Sequence, residues 1–240
     1  MSAAPVAAFF DLDRTLIRGS ANFPLARAAF RAGYVPPRQL LQDAVNAVSF
    51  ILRGASDERS VALRHRILDA VAGHPVAKVA ALGDSFIPQL AAKVMPESAL
   101  LLSDHAARGE DRIVVSASPI EIVARLAEAL GLEGGIGTRS EILDGCYTGK
   151  LAGEFCYREG KVTEVRRLAA ERGYDLERCS AYSDSISDLP FLECVGIPVA
   201  VNPDKELREH SMTHGWRIVE VSRSRVRATP SAPEPIGAIA

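Results

Sequence analysis

The feature that most limits how this chain can fold is a set of short, continuous apolar runs, each ending in small polar or acidic residues. "VAAFF" (6–10) runs into Asp11, "RIVV" (112–115) into Ser116, the segment through Ala181 and Tyr182 into Asp184, and "IPVAV" (197–201) into Asn202. Runs this short that do not alternate with polar residues read as strands covered on both faces, which is the pattern of a parallel sheet. Longer stretches with helical spacing lie between them. "PIEIVARLAEALG" carries Pro near its start and Gly after its end, and "EGKVTEVRRLAAERG" ends in Gly, as helix termini favour. Strands alternating with helices imply an α/β protein with a doubly wound parallel sheet, whose functional groups collect at the carboxyl ends of the strands.

A different texture fills residues 20–95. Segments such as "FPLARAAFRAG" and "RQLLQDAVNAVSFILRG" keep helical spacing and are broken at Pro36 and Pro37, so this part is expected to be an all-helical insertion. The core is then formed by residues 1–19 and 96–221, a Rossmann-like three-layer α/β/α arrangement. The Gly-rich stretch "GGIGTRSEILDGCYTGKLAG" reads as short strands or a hairpin, and "IPVAV" as the last strand. Residues 222–240, "SRVRATPSAPEPIGAIA" and its flank, mix basic residues with Pro, Ser and Ala and are expected to be a disordered tail.

The 240 residues suffice for one sizeable core with an insertion. With 28 basic against 30 acidic side chains the net charge is −2, which argues against a nucleic-acid surface and for small-molecule chemistry. The four cysteines, Cys146, Cys156, Cys179 and Cys194, form no CxxC pair and are expected to be reduced. No secretory leader is evident, and "DAVNAVSFIL" is too short to span a bilayer. A cytoplasmic protein with no membrane span is expected.

Four polar clusters stand at strand ends or helix starts: Asp11 and Asp13; Ser116 and Ser118; Lys161; Asp184 and Asp188. Each has a plain reading of its own. Paired aspartates can simply end a strand in a turn, Ser116 can cap the following helix, Lys161 can be a solvated side chain, and "SDSISD" can be a polar turn. Together they supply what phosphoryl transfer requires. Converging carboxylates repel one another unless a cation sits among them, and oxygen ligands suit Mg²⁺. A lysine and a hydroxyl can hold phosphate oxygens, which leaves one aspartate to attack.

These residues resemble the four motifs of the haloacid dehalogenase (HAD) superfamily of phosphatases, in its phosphoserine-phosphatase-like branch with a helical cap inserted after the first motif. "DLDRT" is similar to the first motif, DxDxT; "VVS", ending in Ser116, to the second; Lys161 in "EGKV" to the third; "SDSISDLP" to the fourth. The resemblance spans roughly residues 5–205. It implies that Asp11 is the nucleophile and forms an aspartyl-phosphate, and that Asp13 is the general acid and base. It also implies that Asp11, the main-chain carbonyl of Asp13 and Asp184 ligate Mg²⁺, with Asp188 supporting them from behind. It further implies that Thr15, Ser116 and Lys161 orient the nucleophile and the phosphate, with the adjoining Ala117 in substrate binding.

Phosphoserine-specific relatives carry a glutamate at the cap entrance that holds the substrate ammonium; Ser20 stands at that position and is assigned to substrate binding. The cap is rich in arginine, with Arg64 and His65 as candidates to line the cleft. The expected function is therefore Mg²⁺-dependent hydrolysis of a small phosphorylated metabolite, with phosphoserine the first substrate and a sugar phosphate or lysophospholipid the alternative. A phosphotransferase or a non-catalytic phosphate-binding protein is the alternative class. Oligomeric state is left open.

Overall fold

The computed structural model describes residues 4–33, 64–65 and 68–220. The insertion segment "RQLLQDAVNAVSFILRG" and the tail 222–240 lie outside the described residues. The centre is a six-stranded sheet in the order β3-β2-β1-β6-β7-β8, every neighbouring pair parallel. Its strands are β1 (Ala7–Asp11), β2 (Asp111–Pro119), β3 (Gly134–Thr138), β6 (Ser180–Ser183), β7 (Ile197–Val201) and β8 (Arg217–Val219). Chain order reverses direction across β1, which has β2 on one side and β6 on the other. Crevices at such switch points, outside the strands' carboxyl ends, are where open α/β sheets bind ligands.

The strand β1 shows why a non-alternating run is needed. Its five residues are all buried: Ala8 and Phe10 join an apolar cluster on one face, Ala7 and Phe9 a second cluster on the other. The first face is covered by α4 (Pro96–Ala107) and α5 (Ile120–Ala129), through Leu101, Leu102, Ile122, Val123 and Leu126. The second is covered by α6 (Glu159–Arg172), α7 (Leu189–Glu193) and α8 (Lys205–His214), through Val165, Ala169, Phe191, Leu192 and Leu207. This is the expected three-layer α/β/α core.

The structure sharpens the sequence reading at two elements. The sheet does not stop at β7, because the short strand β8 adds an edge. The Gly-rich stretch divides: its first five residues join the main sheet as β3, and only β4 (Ser140–Leu143) and β5 (Cys146–Leu151) form an antiparallel hairpin. Glycine is what lets β3 into the sheet. A Cβ on Gly137 would lie 2.8 Å from the Ile120 Cα and 2.9 Å from the Ser118 carbonyl oxygen, so only a bare backbone allows α5 to pack this closely.

Within the insertion, α1 (Asn22–Arg31), α2 (Val76–Asp84) and α3 (Ile87–Ala91) are described. The outgoing and returning chains run side by side: Arg18 N–H donates to the Lys93 carbonyl at 2.8 Å and Met95 N–H to the Leu16 carbonyl at 3.0 Å. The hairpin grips the insertion through a second set of main-chain bonds, Gly73 N–H to the Tyr147 carbonyl and Val76 N–H to the Gly145 carbonyl. Among the described residues the four cysteines are free, and no helix is long and apolar enough to cross a membrane. Gly137→Ala is expected to destabilise the protein by about 1–3 kcal/mol, as overpacking against backbone does; equilibrium urea unfolding measures it, and an unchanged midpoint would contradict the close-approach argument.

Candidate active site

The site lies at the carboxyl ends of the two central strands and is organised around a buried lysine. Asp11 is the last residue of β1, opposite Val115 of β2, so Ser116 follows one step beyond it on the neighbouring strand. Across the switch point Phe10 pairs with Tyr182, which places Asp184 just past the end of β6. Lys161 enters from the first turn of α6. Its approach depends on a tight loop: a Cβ on Gly160 would lie 1.9 Å from the Phe155 carbonyl oxygen, and Lys161 N–H donates to the Arg158 carbonyl at 3.0 Å.

Lys161 is 2% exposed, which ends the reading of a solvated side chain. It donates to Asp11 Oδ1 at 2.6 Å and to Asp188 Oδ2 at 2.7 Å. Ser183 Oγ donates to the same Asp188 oxygen at 2.6 Å. Asp184 occupies the other half of the site, with Arg14 Nε 2.9 Å from its Oδ2 and Thr15 Oγ1 3.5 Å from its Oδ1. The loop holding it is tied down by Asp204, the N-cap of α8. The Asp204 carboxylate accepts from Leu207 N–H at 2.8 Å and Ile186 N–H at 2.9 Å, while Asp204 N–H donates to the Asp184 carbonyl at 2.7 Å.

The structure thus gathers Asp11, Lys161 and Asp188 in one chain of contacts and Asp184, Thr15 and Arg14 in another. The Asp13 carboxylate takes its bonds from the insertion instead. Ser20 Oγ donates to its Oδ2 at 2.7 Å and Ala21 N–H to its Oδ1 at 2.9 Å, so the carboxylate is held at the start of α1. Ser116 is buried and accepts from Ser118 N–H at 3.1 Å; α5 has no side-chain cap, so Ser116 does not serve that helix. The Ala117 carbonyl accepts from Thr138 Oγ1 at 2.7 Å. On the insertion side, the Arg64 guanidinium stacks over Phe155, 5.3 Å from the ring centre, in the loop ahead of Lys161.

Burial dominates the electrostatics. It raises Asp11 from 3.8 to about 7; Lys161 opposes the rise and Asp188 adds to it. It raises Asp184 from 3.8 to about 8, with repulsion from Asp11 adding and Arg14 opposing. Burial likewise raises Asp13, against the bonds from Ala21 and Ser20. For Lys161 burial favours the neutral amine, but attraction to Asp11 and Asp188 outweighs it and the ammonium is held well above its ordinary range. Buried carboxylates that resist ionising are what a site short of positive charge presents. Among the described residues no three His, Cys, Asp or Glu side chains form a metal cage. Two carboxylates and a main-chain carbonyl, completed by water and phosphate oxygens, are nevertheless the kind of set Mg²⁺ takes, so the donors fit that ion.

Arg14, Ser183 and Asp204 were not singled out from sequence. Asp204 carried a usable signal, an Asp directly before a helical segment; Arg14 carried none, because its partner Asp184 is distant in the chain, and Ser183, although Asp188 is only five residues on, reads as one more hydroxyl of a polar turn.

The family model for haloacid dehalogenase-like hydrolases matches residues 8–193. A probable phosphatase of Mycobacterium tuberculosis is 40% identical over 92% of this chain and 77% of its own length. A phosphoserine phosphatase of the same organism is 37% identical over 95% of this chain and 74% of its own. A solved protein of unknown function from Bordetella pertussis superposes with a TM-score of 0.78 at 29% identity, covering 92% of this chain and all of that one. The chain belongs to the haloacid dehalogenase-like hydrolases, in their phosphoserine-phosphatase-like branch, and is an enzyme acting on phosphoric monoesters.

Two outcomes follow from the electrostatics. A carboxyl whose folded pKa is raised contributes stability that is full below its unfolded value and is lost as pH rises through the folded one. The metal-free protein should therefore lose thermal stability between about pH 4 and about pH 8, the window set by Asp11 and Asp184; calorimetric melting temperatures across that range test this, and a rising curve would refute it. Lys161→Met leaves Asp11 and Asp188 buried without their cation. It should cost about 3–5 kcal/mol near pH 8, as breaking a buried pair does, and clearly less near pH 5, read by chemical unfolding at the two pH values.

Proposed function

We propose that this protein is a Mg²⁺-dependent phosphatase of a small phosphorylated metabolite in the cytoplasm, working through an aspartyl-phosphate on Asp11, with phosphoserine as the first substrate to test. The observation that carries this reading is the pairing of a strand-end aspartate with a fully buried lysine at the sheet's switch point, with a second aspartate two residues on. The phosphoserine phosphatase among the relatives supports the choice of substrate.

In this mechanism an Asp11 carboxylate oxygen attacks phosphorus, and the ester P–O bond breaks as the acyl phosphate forms. Asp13 gives its proton to the leaving oxygen. It then takes a proton from water as that water attacks phosphorus, which releases inorganic phosphate and restores the Asp11 carboxylate. Lys161, by holding Oδ1, fixes the plane of the nucleophile and keeps a positive charge beside the phosphoryl oxygens. Asp11, the Asp13 carbonyl and Asp184 would hold Mg²⁺, which would supply charge neutralisation when bound. Asp188, bonded by Lys161 and Ser183, keeps the lysine in place. Burial keeps Asp13 protonated to a higher pH than a free carboxyl, as a proton donor near neutrality requires.

A second substrate reading rests on Ser20. It has no charge to pair with an ammonium, and its hydroxyl proton is given to Asp13, which favours a leaving group without an amine, such as a sugar phosphate or lysophospholipid. Phosphate release should be measured over phosphoserine, phosphothreonine, phosphocholine, sugar phosphates and lysophosphatidic acid, with and without Mg²⁺ and with an acceptor alcohol to reveal transfer. Turnover should need Mg²⁺, and Asp11→Asn should reduce it by at least about a thousandfold, the scale of losing a covalent nucleophile. A folded Asp11→Asn protein as active as the parent would refute the mechanism.

A further inference from the structure

We propose that Arg14 is a resident counter-ion for Asp184 that competes with the divalent cation and so weakens metal binding. The inference rests on the reading of Asp184 as a metal ligand given above. Among the described residues Arg14 is one of four non-glycine residues with positive φ, at 62°, a left-handed conformation that costs a side chain of this kind free energy and is held only where the surroundings impose it. They do so here: Arg14 N–H donates to the Gly19 carbonyl at 3.0 Å, which pins the backbone. The effect is to turn the guanidinium onto Asp184, with Nε 2.9 Å from Oδ2.

The two cations of the site divide its carboxylates between them. Lys161 is buried and committed to Asp11 and Asp188 at 2.6 and 2.7 Å. Among the described residues the Asp184 carboxylate is met by Arg14 and, at 3.5 Å, by the Thr15 hydroxyl. The two differ in mobility. The Lys161 side chain is 3% exposed, whereas that of Arg14 is 49% exposed and has room to leave. A guanidinium keeps its charge at every working pH, so the competition cannot be relieved by deprotonation. A divalent ion arriving at Asp184 must displace the guanidinium or share the carboxylate with it against like-charge repulsion. The same contact serves the metal-free protein by neutralising a carboxylate that burial and Asp11 otherwise penalise.

The test is calorimetric titration of Mg²⁺ into the metal-free full-length protein without substrate, for the parent, Arg14→Gln and Arg14→Lys, with melting temperatures of the metal-free forms. Arg14→Gln should bind Mg²⁺ about tenfold more tightly and melt lower when metal-free, while Arg14→Lys, which keeps the charge, should stay near the parent. An affinity in Arg14→Gln equal to or weaker than that of a parent that does bind Mg²⁺ overturns this inference alone. In that case a raised KM in the same variant would assign Arg14 to the substrate instead. A folded parent that takes no Mg²⁺ overturns the metal reading together with it.

Discussion

The structure turns on one buried ion cluster: the Lys161 ammonium held between Asp11 and Asp188, with Ser183 closing the far side. Taking such charges out of water costs several kcal/mol each, and the cluster stands only if every partner is in place. That requirement reaches far into the fold. Asp11 needs β1 in the middle of the sheet, Asp188 needs the turn after β6, and Lys161 needs the bare Gly160 that lets α6 start under the Phe155 carbonyl. Segments 150 residues apart in the chain are thereby tied to one point.

The insertion is tied to the same point by a different route. Asp13 takes both of its hydrogen bonds from Ser20 and Ala21 at the start of α1, so the residue assigned to proton transfer is held by the entrance of the insertion. The hairpin β4–β5 holds the far end through Gly73 and Val76. The insertion therefore meets the core at both Asp13 and the hairpin. A substitution at Ser20 consequently bears on Asp13.

The strands and the strand-end aspartates were legible because their signals are local. A continuous apolar run followed by acid states both burial and where it ends, and Pro and Gly marked the helix limits. The Gly-rich stretch was harder. Gly135 and Gly137 carry no side chain to show a face, and what makes β3 a strand of the main sheet is the approach of Val123 and Ile120 from α5. The edge strand β8 is three residues long and partly exposed, too short for any periodic pattern to register.

The sequence by itself determined the class of fold, the order of its elements and the identity of the charged groups, since hydrophobic spacing and residue chemistry are properties of single segments. Only the tertiary structure decided which charges meet. Lys161 could have been solvated, Ser116 could have capped a helix, and Arg14 carried no mark at all. A Coulomb contact or hydrogen bond acts over a few ångströms in space, and between residues 14 and 184, or 11 and 161, that proximity exists only once the sheet has been assembled.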